Sequence, residues 1–343
     1  MNLRRITALA ALLGLCLAAG ARGYNVKSPD GKTVFSLSLD ASGRPVYAVR
    51  TGGTTVVGPS VTGFAAEPGA APACTSLKKT GGLKKVRTEW RPLWGKRSVV
   101  PDRYNARTFR LDGDSPVTIE VRVYDEGVAF RASRQARGTF YETTDFAFAG
   151  DYTAWYYNGE RHNIGPEKLS DADGERLPLM TVQVNDGLYL AVHEAALGPD
   201  GWPMRLSSEK GSKTLSIIPE PIETQGTYTS AWRVIMCSDT PGGLVDSHLL
   251  ELLNPEPEGD FGWVKPGVAL WDWRIDGAVW DGYHYGMNYD SWTRMIDFAA
   301  EQGFSHLVLD ANWYGPEFAK DSDPTKGDKA RDVQRIIRYG RGQ

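Results

Sequence analysis

Apolar and polar residues alternate at every second position along much of the chain. In residues 117–124 four aliphatic side chains oppose Thr, Glu, Arg and Tyr, and an Asp-Glu-Gly turn then leads into the apolar stretch 128–132. A period of two predicts a half-buried strand, and a short Gly-containing turn between two such strands predicts a hairpin. An Asn-Asp-Gly turn predicts a second hairpin between residues 180–184 and 188–192. Many short strands of this kind predict an antiparallel β-sandwich over residues 24–255.

One acidic residue interrupts the alternation. On the strand that carries Leu188, Leu190 and Val192, the next residue on the same face is Glu194. A carboxylate that continues an apolar face is exposed at the strand end, paired with a cationic side chain, or bound to a metal ion. The sequence leaves these three alternatives open, and exposure is the commonest of them.

The periodicity changes after the sandwich. The Pro-rich sequence at 254–259 predicts a break, and residues 256–265 are predicted to be a linker. Strand and helix patterns then alternate: a strand at 268–273, a helix at 291–302, a strand at 305–310 and a helix at 329–339. Asp290 is the predicted N-cap of the first helix, and Gly303 is predicted to end it.

This alternation is typical of parallel β/α units. Residues 266–343 hold two such units, whereas a (β/α)8 barrel takes about 250 residues. We therefore predict an antiparallel β-sandwich followed by the first two β/α units of an incomplete (β/α)8 barrel. The chain is expected to be a C-terminally truncated part of a longer protein.

Polar and aromatic side chains follow both predicted barrel strands. Trp271 and Asp272 end the first strand, and Asp310, Asn312 and Trp313 end the second. The carboxyl ends of barrel strands meet at the rim where catalytic and binding residues lie. Carboxylate and amide groups bind sugar hydroxyls, and indole rings pack against sugar faces. The pattern predicts a sugar-binding pocket, with the alternative that Trp271 belongs to the barrel core and Trp313 anchors a loop.

Composition narrows the function classes. The chain has 343 residues, a formal net charge of −3, 11 Trp and 15 Tyr. This slightly acidic balance argues against a nucleic-acid partner. The sequence has no Gly-x-Ser-x-Gly elbow, no phosphate-binding Gly-rich loop ending in Lys-Ser/Thr and no His-Glu-x-x-His zinc motif. Many Trp and Tyr residues suit an oligosaccharide or glycoside partner, although core packing is the commoner use of such residues. The oligomeric state is left open.

The N-terminal residues have the pattern of a secretion signal. Arg4 and Arg5 precede a short apolar run that ends in small residues, so residues 1–23 are predicted to be removed from a secreted or periplasmic protein. No other stretch is predicted to span a membrane. Two cysteines, Cys74 and Cys237, remain after this segment. They are predicted to form either one disulfide or two free thiols.

Several motifs, taken in chain order, resemble glycoside hydrolase family 97. Those of the first part are 28–31 (Ser-Pro-Asp-Gly), 124–131 (Tyr-Asp-Glu-Gly-Val-Ala-Phe-Arg), 193–197 (His-Glu-Ala-Ala-Leu), 232–233 (Trp-Arg) and 253–255 (Leu-Asn-Pro). Those of the second part are 263–267 (Trp-Val-Lys-Pro-Gly), 269–273 (Ala-Leu-Trp-Asp-Trp), 295–301 (Met-Ile-Asp-Phe-Ala-Ala-Glu) and 309–313 (Leu-Asp-Ala-Asn-Trp). The resemblance covers residues 24–343, as the N-terminal sandwich and the start of the catalytic barrel.

The resemblance implies an exo-acting, calcium-dependent α-glycosidase. It implies that Glu194 is one ligand of a Ca²⁺ ion. One glutamate cannot hold this ion, since Ca²⁺ takes six to eight oxygen ligands. The other ligands and the catalytic acid with its nucleophile or base are expected after residue 343. No catalytic residue is therefore assigned in this chain, which is expected to be inactive alone.

The family contains retaining and inverting enzymes. The motif Leu309-Asp310-x-x-Trp313 resembles the retaining, α-galactosidase-like branch more than the inverting α-glucosidase branch. It implies that Asp310 accepts hydrogen bonds from sugar hydroxyls. The expected function is therefore that of a retaining α-galactosidase, with an inverting α-glucosidase as the alternative. A non-catalytic carbohydrate-binding β-sandwich is the alternative from another class.

Overall fold

The computed structural model describes residues 23–135, 137–159, 163–199, 201–317 and 319–343. Residues 1–22 of the predicted secretion signal lie outside the described residues. The chain divides into two compact units, of which the first ends at Pro257 and the second begins at Glu258. In the described parts of the chain, no helix has both the length and the apolar character needed to cross a bilayer.

The first unit is built mainly from β-strands. In chain order its strands are β1 (Tyr24–Lys27), β2 (Val34–Leu39), β3 (Pro45–Thr51), β4 (Thr54–Val61), β5 (Phe64–Ala65), β6 (Ser76–Trp90), β7 (Val100–Asp112), β8 (Val117–Tyr124), β9 (Gly127–Gln135), β10 (Gly138–Glu142), β11 (Asp145–Ala147), β12 (Thr153–Tyr157), β13 (Asn163–Lys168), β14 (Gly174–Asn185), β15 (Leu188–Ala195), β16 (Leu206–Ser208), β17 (Thr214–Ile217), β18 (Ile222–Thr224), β19 (Thr227–Thr229) and β20 (Trp232–Ser238). A 3₁₀ turn covers Leu169–Asp171, and two short helices, α1 (Pro241–Asp246) and α2 (Leu249–Leu253), follow the last strand.

These strands form three sheets, and every strand pair described in this unit is antiparallel. One sheet has the order β1-β2-β3-β4, and a small one has the order β18-β10-β5. The large sheet runs β11-β17-β16-β14-β15-β20-β9-β8-β7-β6, with β12, β13 and β19 paired at its side. The two predicted hairpins are present as β8–β9 and β14–β15.

A continuous apolar core lies between the first sheet and the large sheet. Phe130 of β9 contacts Phe35 of β2 and Tyr47 of β3, with ring centroids 5.5 and 4.5 Å apart. The aliphatic residues of β8 at every second position are at most 3% exposed, namely Val117, Ile119, Val121 and Val123. The predicted β-sandwich is thereby confirmed. A second apolar cluster on the other face of the large sheet packs against α2 through Leu249 and Leu253.

The tight turn of the β8–β9 hairpin requires glycine at its end. Tyr124 pairs with Gly127, so only Asp125 and Glu126 lie between the two strands. Gly127 has φ +151°, and a Cβ atom there would lie 2.5 Å from the carbonyl oxygen of Ile235 on β20. Any other residue would therefore force β9 and β20 apart.

The second unit combines short strands and helices. Its elements are β21 (Ala269–Trp271), α3 (Asp272–Ile275), β22 (Val279–Trp280), β23 (Tyr283–His284), α4 (Tyr289–Gln302), β24 (His306–Val308) and α5 (Gly327–Gly340). β21 and β24 pair in parallel, and α4 lies between them in sequence. This matches the predicted order of strand and helix, while the assignment of these units to the start of an incomplete (β/α)8 barrel stays a prediction. Both strands are shorter than predicted because helix α3 begins at Asp272 and regular pairing ends at Val308.

The ends of α4 are set by local hydrogen bonds. The side chain of Asn288 accepts a hydrogen bond from the backbone N–H of Ser291 at 3.0 Å, so Asn288 is the N-cap and the predicted Asp290 is not. Asp290 instead lies in the first turn, where a negative charge favours the helix dipole. Gly303 ends the helix in the left-handed conformation at φ 72°, as predicted.

The two cysteines are free thiols. Cys74 is half-buried and Cys237 is buried in the apolar core. The alternative of a disulfide between them, left open by the sequence, is therefore wrong for this structure. Burial raises the pKa of Cys237 to about 12.

Candidate functional site

Glu194 lies near the end of β15 on the face that packs into the core of the sandwich. Leu190 and Val192 precede it on this face and are 0% exposed, whereas the Glu194 side chain is 13% exposed. Its neighbour across the ladder is Arg233 of β20. Among the three alternatives that the sequence leaves open, the structure shows pairing with a cationic side chain.

Arg233 joins two carboxylates in one buried network. Its Nε and Nη2 atoms donate to the two carboxylate oxygens of Glu142 at 2.8 and 2.5 Å, and its Nη1 atom donates to Glu194 Oε2 at 2.7 Å. Glu194 Oε1 accepts a further hydrogen bond from the backbone N–H of Met204 at 2.9 Å. Glu142 also accepts from the hydroxyl of Thr144 at 3.1 Å. The network therefore fixes the position of the Glu194 carboxylate from both of its oxygens.

The network contains one cationic side chain and two carboxylates. The side chains of Arg233 and Glu142 are 4% and 8% exposed. Burial alone lowers the pKa of Arg233, but the carboxylates of Glu142 and Glu194 outweigh this effect and raise its pKa above the usual range. One guanidinium between two ionised carboxylates leaves the network with a formal charge of −1.

The described residues supply one candidate calcium ligand. A carboxylate has about four acceptor sites, and the two hydrogen bonds to Glu194 occupy two of them. Among the described residues no group of three or more His, Cys, Asp or Glu side chains could hold a metal ion. Since Ca²⁺ takes about six to eight oxygen ligands, Glu194 fits one position of such a site but does not form the site.

A shallow open depression lies beside the network. Trp202, Met204 and Tyr228 line it together with Glu142 and Arg233. The indole of Trp202 is 50% exposed, and its N–H donates to the carbonyl of Pro221 at 2.8 Å, which fixes the ring. The depression is thus lined by one held aromatic ring and by charged groups.

In the second unit, the ends of β21 and β24 are joined by a chain of hydrogen bonds. The indole N–H of Trp271 donates to Asp310 Oδ2 at 2.6 Å, and the backbone N–H of Asp310 donates to Asp272 Oδ1 at 2.9 Å. Asp272 Oδ2 accepts from the indole N–H of Trp292 at 2.9 Å. Asp272 is 0% exposed. It therefore holds the strand ends together, while Asp310 is half-buried and Trp271 is 39% exposed.

Asn312 and Trp313 lie on the turn that follows Asp310. Asn312 has φ 62°, and its side-chain oxygen accepts a hydrogen bond from the backbone N–H of Glu317 at 3.1 Å. Asn312 therefore stabilises the loop with an atom that was expected to contact a sugar. Trp313 is half-buried and packs edge-on against Tyr314 at 5.5 Å. The second unit thus brings Trp271, Asp272 and Asp310 together, with Asn312 and Trp313 on the adjacent turn.

Residues 26–256 match the family model for the N-terminal domain of glycosyl hydrolase family 97. The chain belongs to this family. The resemblance found in the sequence is therefore confirmed.

Two curated relatives match most of this family 97 chain. It is 26% identical to a retaining α-galactosidase of Bacteroides thetaiotaomicron, over 84% of this chain and 50% of that protein. It is 27% identical to a probable retaining α-galactosidase of Streptomyces bingchenggensis, over 90% of this chain and 51% of that protein. The chain spans about half the length of the curated relatives it matches.

Solved structures show the same fold. A family 97 enzyme from Pseudoalteromonas sp. strain K8 in complex with acarbose superposes with a TM-score of 0.71 at 23% identity, over 93% of this chain and 53% of that one. A β-arabinopyranosidase superposes with a TM-score of 0.70 at 20% identity, over 93% of this chain and 54% of that one. At these identities the likeness concerns the fold alone.

Two residues of the candidate site were not predicted from the sequence. Arg233 lies in the strand Trp-Arg-Val-Ile-Met-Cys-Ser and is the only charged residue among its apolar neighbours, which signals a buried ion pair. Glu142 gives no comparable signal, because it ends a short strand next to two threonines. Only the tertiary structure shows that Glu142 completes the surroundings of Arg233 and Glu194.

Proposed function

We propose that this chain forms the N-terminal part of a secreted or periplasmic exo-acting α-glycosidase that hydrolyses a terminal α-galactoside with retention of configuration. The observation that carries the proposal is the orientation of Asp310 by Trp271 and Asp272. The two curated relatives named as retaining or probable retaining α-galactosidases support the choice of substrate and stereochemistry. An inverting α-glucosidase is the alternative within the family.

Asp310 is suited to bind substrate rather than to react with it. Trp271 donates to Oδ2, and none of the hydrogen bonds described for Asp310 uses Oδ1. A carboxylate held in this way accepts hydrogen bonds from two adjacent sugar hydroxyls. The exposed part of the Trp271 ring provides an apolar surface beside it. Substrate would thus be oriented by Asp310 and Trp271.

The substrate role of Asp310 is tested by Asp310→Asn in the protein expressed with its complete reading frame. Loss of a charge-assisted hydrogen bond in the bound complex should lower kcat/KM for an aryl α-galactoside by about 10- to 100-fold. Asp281→Asn, an exposed residue of the same unit, is the matched control and should leave kcat/KM unchanged. Equal activity of both variants would contradict the role of Asp310.

The substrate and stereochemistry are tested by comparing aryl α-galactoside with aryl α-glucoside and by following the first anomer released by NMR. Preference for α-galactoside with release of the α-anomer is expected. Preference for α-glucoside with release of the β-anomer would favour the alternative. The 343-residue chain by itself is expected to give no turnover, and measurable hydrolysis by it would contradict the proposed division of the site.

We also propose that Glu194 provides one Ca²⁺ ligand, with the remaining ligands coming from residues other than those described. Bound Ca²⁺ would help to position or polarise the glycosidic oxygen. The network of Arg233 and Met204 holds the Glu194 carboxylate for this purpose. In the complete protein, Glu194→Gln should weaken Ca²⁺ binding measured by calorimetry. Unchanged binding would exclude Glu194 as a ligand.

The proposed location is tested by N-terminal sequencing of the exported protein, which should begin at Tyr24. A protein retained with Met1 intact would contradict secretion through this signal.

A carbohydrate-binding role without catalysis is the second candidate, and the depression beside Trp202 favours it. It predicts that the 343-residue chain binds an α-galacto-oligosaccharide in titration calorimetry and that Trp202→Ala abolishes this binding. Absence of binding would leave the hydrolase proposal as the better one.

A further inference from the structure

The loop between β6 and β7 exposes two large apolar side chains. Leu93 is 80% exposed and Trp94 is 63% exposed at the end of this long hairpin. Val245 of α1 is 75% exposed, and its carbonyl accepts a hydrogen bond from Lys96 of the same loop. Arg97 also pairs with Asp246 of α1 at 3.6 Å. The loop is therefore held beside α1 and presents an apolar surface made by two separate segments.

Basic residues are concentrated along the hairpin that carries this apolar surface. Residues 84–103 contain seven Lys and Arg residues against two Asp and Glu residues, a formal charge of +5, whereas the whole chain carries −3. All seven basic residues are exposed, namely Lys84, Lys85, Arg87, Arg91, Lys96, Arg97 and Arg103. We call these seven residues with Leu93, Trp94 and Val245 the basic tip.

The pairing of β6 with β7 places like charges opposite each other. Arg87 and Arg103 are direct cross-strand partners, an arrangement that destabilises a sheet. Arg87 donates to the carbonyls of Val86 and Tyr104 and to the side chain of Asn105. Among the described residues no carboxylate lies within ion-pair distance of either arginine. Neither positive charge is therefore neutralised by an ion pair with a described residue.

The need to keep an edge strand from pairing with other chains explains only part of the positive charge on this hairpin. Lysines on an edge strand prevent pairing with other chains, and this accounts for Lys84 and Lys85 on β6. It does not account for the positive charge on the loop and on β7, which is the inner neighbour of β6. It also does not account for an exposed Leu93 and Trp94, because exposed apolar groups promote association.

Exposed apolar side chains together with basic side chains fit an anionic bilayer better than a protein or a soluble polyanion. Three of the seven basic residues are Lys, which is depleted at protein interfaces, and a soluble polyanion has no apolar layer that could take up Leu93. At an anionic bilayer, basic side chains contact lipid phosphates while Trp and Leu enter the interfacial layer. We infer that the basic tip docks this protein on the surface of a membrane that contains anionic phospholipids.

The inference is tested by co-sedimentation of the protein with vesicles of phosphatidylglycerol and phosphatidylcholine, and with vesicles of phosphatidylcholine alone. Binding to the anionic vesicles is expected, and it should weaken between about 0.1 M and 1 M salt as the Debye length falls from about 10 to 3 Å. Lys84→Glu/Lys85→Glu should weaken binding at least tenfold, since each basic side chain contributes about fivefold at an anionic surface. Leu93→Ser/Trp94→Ser should also weaken it at least tenfold.

Matched controls separate this site from general charge and general apolar exposure. Lys210→Glu/Lys213→Glu makes the same change in net charge at positions away from the hairpin. Trp280→Ser removes a tryptophan that is 75% exposed and has no Lys or Arg within five positions. Both control variants should bind as the unchanged protein does, and circular dichroism should show all four variants folded.

Three results would overturn the inference. They are absence of binding to anionic vesicles, equal binding to neutral vesicles, and equal losses in the control variants. If vesicle binding is absent, retention on an immobilised sulfated polysaccharide would assign the basic side chains to a soluble polyanion instead.

Discussion

Replacement of Arg233 by methionine tests the network that holds Glu194. Methionine keeps much of the apolar length of the side chain but removes its charge and its three donors. The carboxylates of Glu142 and Glu194, 8% and 13% exposed, would then lie in the core without a cation. The change therefore isolates the charge compensation rather than the packing.

The expected loss follows from the burial of all three side chains. Removing one partner of a buried ion pair costs about 3–5 kcal/mol because the remaining charge is left uncompensated. We expect Arg233→Met to lower the free energy of unfolding by about 4 kcal/mol. This is a large part of the roughly 5–15 kcal/mol of a typical domain. For a domain of this size the loss corresponds to a fall in Tm of about 8–16 °C.

Calorimetry or circular dichroism melting measures the effect, and the chain contains a matched control. Arg205 also joins two glutamates, Glu175 and Glu220, but its side chain is 39% exposed. Ion pairs in contact with water contribute little to stability, so Arg205→Met should leave Tm nearly unchanged. The same Arg-to-Met replacement thus compares a buried and an exposed network.

A triple variant distinguishes the loss of charge compensation from the loss of packing. Adding Glu142→Leu and Glu194→Gln to Arg233→Met removes the uncompensated charges and should recover most of the lost stability. An Arg233→Met variant that melts no lower than Arg205→Met would refute the stabilising role of the buried charge compensation. A triple variant that is no more stable than Arg233→Met would refute it as well.

Three further changes test other parts of the structure. Asp272→Ala leaves the buried indole N–H of Trp292 and the half-buried backbone N–H of Asp310 without an acceptor. It should lower the free energy of unfolding by about 2–4 kcal/mol in chemical denaturation, and a loss below about 1 kcal/mol would contradict the buried role of Asp272. Gly127→Ala should destabilise the sandwich by more than about 1 kcal/mol, because its Cβ would meet the carbonyl of Ile235, and an unchanged Tm would show that the hairpin can adjust. Cys237 should react with a thiol reagent at pH 8 only after unfolding, because its pKa is raised to about 12. Rapid modification of Cys237 in the native protein would contradict this protection. Since the thiol of the unfolded chain ionises near its ordinary pKa of 9.0, the contribution of Cys237 to stability should fall as pH rises from about 9 to about 12.

The sequence predicts the sandwich because several of its strands carry a local signal. The aliphatic residues of β8 alternate with polar ones, and the turn before Gly127 connects two neighbouring strands, so both features depend only on near neighbours in sequence. The position of Glu194 on an apolar face follows from the same period of two. Its partner does not, because Arg233 is 39 residues away and Glu142 lies 91 residues from Arg233. Such contacts depend on the order of strands in the sheet.

The second unit shows a different limit of sequence reasoning. Trp271, Asp272 and Asp310 are predicted to share one rim because parallel strands end at the same edge. The roles of the two aspartates cannot be separated in this way, since both are acidic residues at strand ends. Asp272 begins helix α3 and turns into the protein, where the indole of Trp292 donates to it. This difference depends on a tryptophan of α4 that no pattern connects to the strand.

The geometry around Arg233 explains how Glu194 is held by a cation and still carries negative charge. Glu142 meets the guanidinium with both carboxylate oxygens, the bidentate arrangement in which Arg and a carboxylate compensate each other best. Glu194 receives a single donor from the same group. The charge of Arg233 is therefore compensated mainly by Glu142, and the formal charge of −1 remains mainly on Glu194. Without Glu142, Arg233 would neutralise Glu194, and the carboxylate at the end of β15 would attract a second cation much less strongly.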